Sequence, residues 1–312
     1  MSVLVRAAKC VSVVVRNSRI QFETAGDRFV PRDDPKHGGC AIAIHFPITQ
    51  SKQSIKMSKH IYPKVTLVGA GPGDPDLISI KGVNALGEAD VVLYDALVNT
   101  ELLKYAPINS KKIYVGKREG QHAFSQEQIN TLLVDYAYTH GHVVRLKGGD
   151  SFVFGRGSEE LEHVENFNIE TAVVPGISSA IGVPALQRIP VTHRGVTESF
   201  WVLTGRNSEG KLPEDVKLAA QSGATVVILM GLVKLPEIVA VFKQYGKGST
   251  PIAVVQDGTL PSENAAFGSI DTIVEVVRQE EIRSPAIIII GEVVRKSPQA
   301  AYALALENHL LH

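Results

Sequence analysis

The sequence predicts an α/β protein built as two α/β domains with a ligand cleft between them. Three observations lead there. From Lys64 onward, apolar runs of strand length alternate with glycine turns and helical spacing, the pattern of a largely parallel sheet flanked by helices. A second run of the same kind begins near Ser199. The chain has 312 residues, more than the roughly 100–200 of one ordinary domain.

In the first run, residues 65–68 form an apolar strand that enters a glycine-rich turn, and residues 77–88 have helical spacing. A second strand at 91–94 ends at Asp95, and a third at 113–115 ends at Gly116 and Lys117. Residues 125–139 predict a helix, with Ser125 as N-cap and Gln128 completing a capping box. Residues 143–146 form a fourth strand that runs into Lys147-Gly-Gly-Asp150, and 173–180 spell strand, turn and helix start. The second run has strands at 200–203, 226–230, 252–255 and 286–290, and helices at 213–221, 236–245 and 271–279. The domains are placed at 61–192 and 193–296, joined around Pro190 to Glu198, with 297–312 as a tail or helix. A cleft between two domains is a preferred ligand site.

The first 60 residues differ. Up to Gln21 they carry four Arg or Lys and no acid, and Pro31 to Gly39 is loop-like. A basic targeting peptide and a dispensable extension ahead of Met57 both fit, and the segment is expected to be poorly ordered. The only cysteines, Cys10 and Cys40, lie there. The body therefore has no disulfide framework, Cys-ligated zinc or Cys nucleophile. That fits a reducing compartment, and a cytoplasmic location is expected. No apolar run reaches 18 residues, so no membrane span is expected. A formal net charge of +0 supplies no global field toward nucleic acid.

Four motifs carry the chemistry. Gly69-Ala-Gly-Pro-Gly-Asp-Pro75 is not a dinucleotide fingerprint, because Asp74 stands where a glycine is required and Pro72 removes a backbone donor. It suits close approach of backbone to a ligand without phosphate, or is a plain tight turn. Gly148-Gly-Asp150 sits at a strand's carboxyl end, where open α/β sheets bind ligands. Phe152 and Phe154 follow with apolar faces, or pack in the core, and Arg156 lies between two glycines. Ser178 and Ser179 either cap a helix or donate to a ligand. Asp95 and Lys117 follow strand ends at the same edge, as an acid–base pair or a structural ion pair.

Together with Ile189 to Gly195, Met230-Gly-Leu232 and Ser284-Pro-Ala286, these segments stand in an order that resembles the tetrapyrrole methylases over about residues 64–294. The glycine-rich turn is common to that whole family. The block Gly148 to Glu160 with Pro190-Val-Thr-His-Arg194 is more specific, and resembles its members that methylate uroporphyrinogen III. The resemblance implies two α/β domains around a cofactor cleft, a homodimer, and no metal. It implies S-adenosylmethionine as cofactor, with S-adenosylhomocysteine as product, and a tetrapyrrole substrate methylated at C2 and C7 to precorrin-2 for sirohaem or cobalamin. Another precorrin methyltransferase is the alternative. Cofactor contacts are implied at Pro72, Gly148, Gly149, Asp150, Val153, Ser178, Ser179, Met230 and Gly258, with Ala253 nearby. Asp95 is implied as proton acceptor and Lys117 as donor. Arg118, Arg145, Arg156, His193 and Arg194 are expected to pair with substrate carboxylates, Arg being suited to bidentate contact.

Three positions depart from the family pattern. Ser151 replaces Pro, and Leu186-Gln-Arg188 replaces Tyr-x-Gly and is expected to bring Arg188 near the cleft. Thr204-Gly-Arg206 and the polar stretch to Lys211 are individual to this chain, and are expected to reshape the rim. A fused dehydrogenase and ferrochelatase domain, present in some sirohaem synthases, is not expected here.

Overall fold

The computed structural model describes residues 11–16, 19–24, 61–116 and 124–310. Two units are distinguished, Met1–Ser58 and Lys59–His312. In the first, β1 (Val11–Arg16) and β2 (Arg19–Thr24) pair antiparallel as a hairpin. The order expected for the rest of residues 1–60 concerns positions outside the described residues, as do Lys117 and Arg118.

The second unit contains two five-stranded sheets. The first is wholly parallel, in the order β5-β4-β6-β3-β7. Its strands are β3 (Lys64–Gly69), β4 (Val91–Tyr94), β5 (Lys111–Tyr114), β6 (His142–Lys147) and β7 (Glu170–Val174). Alternate side chains serve opposite faces. Val65, Leu67, Val91, Leu93 and Val143 bury one face beneath α2 (Gln126–His140) and α3 (Gly157–Glu165). Val68, Val92, Val144 and Leu146 bury the other beneath α1 (Ile80–Gly87) and the 3-10 turn Thr100–Tyr105. The expected capping box at α2 is present, with Ser125 Oγ accepting from Gln128 N and Gln128 Oε1 accepting from Ser125 N. Two orphan donors of the helix start are thereby satisfied.

The second sheet corrects the expectation of a largely parallel architecture. Its order is β11-β10-β12-β9-β8, and only β8 (Phe200–Thr204) and β9 (Thr225–Leu229) run parallel. Antiparallel pairs join β12 (Ala286–Ile290) to β9 and to β10 (Pro251–Gln256), and β10 to β11 (Asn264–Ser269). The short connection from β10 to β11 permits only antiparallel pairing, since a parallel return needs a crossover of a dozen or more residues. One face is covered by α5 (Asp215–Gln221), α6 (Leu235–Gln244) and α7 (Ile273–Gln279). On the other face Ala180 and Val183 of α4 (Ser179–Leu186) pack with Val227, Ala253, Val255 and Ile289. Thus α4 is seated on the second sheet although it precedes residue 192. Residues 297–312 contribute α8 (Pro298–Leu310), packed against β11. Among the described residues no helix is long and apolar enough to cross a membrane.

His142 opens the central strand β6. Its ring contacts Thr66 Oγ1 at 2.8 Å and the Glu88 carbonyl oxygen at 3.2 Å. Burial lowers its pKa, against an opposing hydrogen bond to that carbonyl. The folded state thus binds fewer protons than the unfolded chain, whose histidine titrates near about 6.5. Its contribution is present above that pH and is lost as pH falls through it. Chemical denaturation followed between pH 7.5 and 5.5 is expected to show a smaller loss of stability for His142→Gln than for wild type. Equal losses would remove His142 as the cause.

Candidate active site

Three strand ends of the first sheet converge so closely that only glycine fits. A Cβ on Gly69 would lie 2.5 Å from Gly176 N and 2.7 Å from the Gly149 carbonyl oxygen. Gly71 and Gly149 exchange both backbone hydrogen bonds, at 3.2 and 2.7 Å, which ties the turn after β3 to the loop after β6. Asp150 closes the third side. Its Oδ2 accepts from Gly176 N at 2.9 Å and its Oδ1 from Phe152 N at 2.8 Å. Each oxygen keeps acceptor capacity toward a ligand.

The second sheet contributes from above. Asp74 N donates to Thr259 Oγ1 at 2.9 Å, and Val183 fills the space a Cβ on Gly258 would need. Pro72 lies against Gly182, while Ser178 and Ser179 stand beside Gly149. The structure thus brings Pro72, Gly148, Gly149, Asp150, Ser178, Ser179 and Gly258 into one neighbourhood. Ser178 Oγ caps α4, accepting from Ala180 N at 3.3 Å, which leaves its O–H as a donor. Val153 is half-buried in the same loop, its N–H donating to the Asp150 carbonyl. Ala253 is different: it is 0% exposed and packed in the core between β11 and β12, so no atom of it faces a ligand.

Next to this cradle is a concave cleft of about 360 Å³, lined by Phe152, Phe154 and Arg156 from the first sheet's loop and by Thr204, Arg206 and Met230 from the second sheet. Its size lies in the range of small-molecule sites. Phe152, Phe154 and Met230 are large apolar side chains left exposed, so neither Phe is core. Phe154, Arg156 and Met230 all hold positive φ, at 54°, 58° and 55°. Such conformations are uncommon outside glycine and cluster at ligand sites, where surrounding structure holds them. Arg156 is exposed and pairs with Glu159, its Nε at 3.0 Å. Arg206 occupies the rim, as expected for the individual stretch.

Other expected substrate contacts fall elsewhere. Arg145 is 3% exposed, with its donors committed to Glu160, Asp95 and the Leu93 and Leu146 carbonyls. It faces into the protein beneath α3, because its position on β6 shares a side with Leu67 and Leu93. His193 and Arg194 belong to a turn closed by His193–Thr197 backbone bonds and do not line the cleft. Arg188 is exposed and also outside the cleft lining. It follows α4 with φ 57°, the left-handed site usually filled by glycine at a helix end. Asp95 stands at the end of β4, its side chain 26% exposed, with Oδ1 accepting from Leu97 N at 3.2 Å and Oδ2 from Arg145 at 3.4 Å.

Sequence reasoning missed Glu160, Lys147 and Gln126. Glu160 is fully buried, and its Oε1 accepts from Lys147 Nζ at 2.9 Å, Arg145 Nε at 3.3 Å and Gln126 at 3.1 Å. Burial, then the Arg145 charge, holds the Lys147 ammonium below the usual lysine range. The available signal was two cations two residues apart on a buried strand, which alternation places on one face.

Residues 64–274 match the family model described as tetrapyrrole (corrin/porphyrin) methylases. The chain belongs to that family. It is 50% identical over 233 residues to the uroporphyrinogen-III C-methyltransferase of Methanocaldococcus jannaschii, covering 74% of this chain and 96% of that one. It is 46% identical to the enzyme of the same name from Priestia megaterium, covering 75% and 99%. The solved structure of Thermus thermophilus uroporphyrin-III C-methyl transferase complexed with S-adenyl homocysteine is 38% identical, with a TM-score of 0.64, covering 74% of this chain and 99% of that one.

Two substitutions report on the departures from the family pattern. Ser151 Oγ is buried without a hydrogen-bond partner among the described residues, and an unpaired buried hydroxyl costs about 1–3 kcal/mol. Ser151→Ala is expected to raise the melting temperature; a fall would show that the hydroxyl has a partner in solution. Arg188→Gly should stabilise by up to about 1 kcal/mol, since glycine has no steric penalty at positive φ. Denaturant titration of the variant measures it.

Proposed function

We propose that this methylase transfers methyl groups from S-adenosylmethionine to C2 and C7 of uroporphyrinogen III, giving precorrin-2, the precursor of sirohaem and cobalamin. The observation that carries the reading is similarity, at 46–50% identity, over 96–99% of the length of two relatives of that name, joined to a cleft whose elements match the family's motifs. The enzyme is proposed to act as a cytoplasmic homodimer.

The cradle fits the cofactor. It has glycine backbone where a phosphate-free ligand must approach closely, a carboxylate at Asp150, and an apolar flank at Met230. Pro72, Gly148, Gly149, Asp150, Val153, Ser178, Ser179, Met230 and Gly258 are the proposed holding residues. Bound there, S-adenosylmethionine supplies a methyl group already activated by its sulfonium, and the product is S-adenosylhomocysteine. The protein's task is alignment of donor and ring carbon within about 3–3.5 Å. Phe152 and Phe154 offer faces to the macrocycle, and Arg156 and Arg206 at the rim are proposed to pair with its carboxylates. Asp95, at the mouth of the first sheet, is proposed to accept the proton that the ring gives up, with Lys117 returning one.

Freshly reduced uroporphyrinogen III and S-adenosylmethionine are expected to yield, by mass spectrometry, a product carrying two added methyl groups. A product from another precorrin only, or none from folded, cofactor-bound protein, would overturn the assignment. Asp95→Ala is expected to lower kcat about 10²–10⁴-fold while calorimetric affinity for S-adenosylhomocysteine stays unchanged. Equal loss of both would make Asp95 structural.

A further inference from the structure

We infer that Arg145 is a positioning residue for Asp95: its guanidinium, pinned from behind by buried Glu160 and two backbone carbonyls, holds the Asp95 carboxylate at the mouth of the sheet. The inference rests on the methylase reading, in which Asp95 accepts a proton.

The geometry is a fork with every arm in use. Nε donates to Glu160 Oε1 at 3.3 Å, Nη1 to the Leu146 carbonyl at 3.1 Å and the Leu93 carbonyl at 3.5 Å, and Nη2 to Asp95 Oδ2 at 3.4 Å. Only the last arm points at a group that meets solvent. Both Arg145 and Glu160 are buried, with side chains 4% and 0% exposed against 26% for Asp95. The fork therefore reaches outward from a fixed base. The remaining Asp95 oxygen is held by Leu97 N, so the carboxylate is fixed at two points.

Stability alone does not account for this arrangement. A buried ion pair is commonly matched or bettered by apolar side chains of similar volume, and position 145 on the central strand β6 is flanked by Val143, Val144 and Leu146. Glu160 already has a second cation, Lys147 Nζ at 2.9 Å. What arginine adds there is a planar fork able to bond a carboxylate, two carbonyls and Asp95 at once. A lysine, with one small ammonium, keeps the charge beside Glu160 and loses the reach to Asp95.

The discriminating variant is accordingly Arg145→Lys, alone and combined with Asp95→Ala; Arg145→Met is the harsher companion. Arg145→Lys is expected to fold and to lower kcat about 10-fold to 100-fold, with the KM for S-adenosylmethionine unchanged. In the Asp95→Ala background the same change is expected to cost almost nothing, because residues acting through one another are not additive. Full kcat in Arg145→Lys, or an equal loss with and without Asp95, would overturn the inference. Crystal structures of the two proteins decide it independently of turnover. An Asp95 carboxylate displaced or split between rotamers in Arg145→Lys supports positioning, and an unmoved one refutes it. Absence of turnover by the wild-type enzyme would count against the substrate assignment alone.

Discussion

A single buried carboxylate organises the first sheet. Glu160 enters from α3 and meets Arg145 and Lys147, two cations on one side of the central strand. Without it, Lys147 would lose its carboxylate partner beneath the helices and Arg145 would keep only Asp95, and breaking a buried pair costs about 3–5 kcal/mol. Gln126, from the first turn of α2, bonds the same oxygen at 3.1 Å. One acceptor therefore joins strand β6 to both covering helices. The packing of α3 in turn sets the loop before it, where Phe152, Phe154 and Arg156 face the cleft.

The second constraint is steric. Gly69, Gly149 and Gly176 bring the ends of β3, β6 and β7 within backbone contact. That packing draws the loops after these strands into one cradle and leaves Asp150 to stitch it together. The cradle's upper wall is tied to the second sheet through Asp74 and Thr259, while Glu263 accepts from both Thr259 N and Gln187. Rigid backbone below and polar contacts above suit an enzyme whose task is alignment. Where chemistry needs little beyond an activated donor and a relocated proton, positioning carries most of the rate.

The charge cluster and the cradle meet at β6. Its last residues supply Arg145 and Lys147 to the interior, and the next ones, Gly148 and Gly149, belong to the glycine cradle. Asp95, on the neighbouring strand, receives one arm of the buried network. The acidic group at the mouth is thus coupled through two strands to α3, whose first turn also lines the cleft.

The sequence by itself determined the strands of the first sheet, the capping box of α2 and the glycine motifs, because these depend on local periodicity, backbone sterics and short-range hydrogen bonds. Strand β11 escaped it, since Asn264, Gly268 and small residues dilute the apolar pattern, and α3 escaped because Arg156 gives no side-chain cap. Only tertiary structure decided where charged side chains go. Arg145 and Arg156 looked alike as basic residues beside a ligand loop; strand register buried one against Glu160 and left the other at the rim. It also decided that the second sheet is mainly antiparallel and that α4 belongs on it, because strand pairing and burial depend on partners distant in the chain.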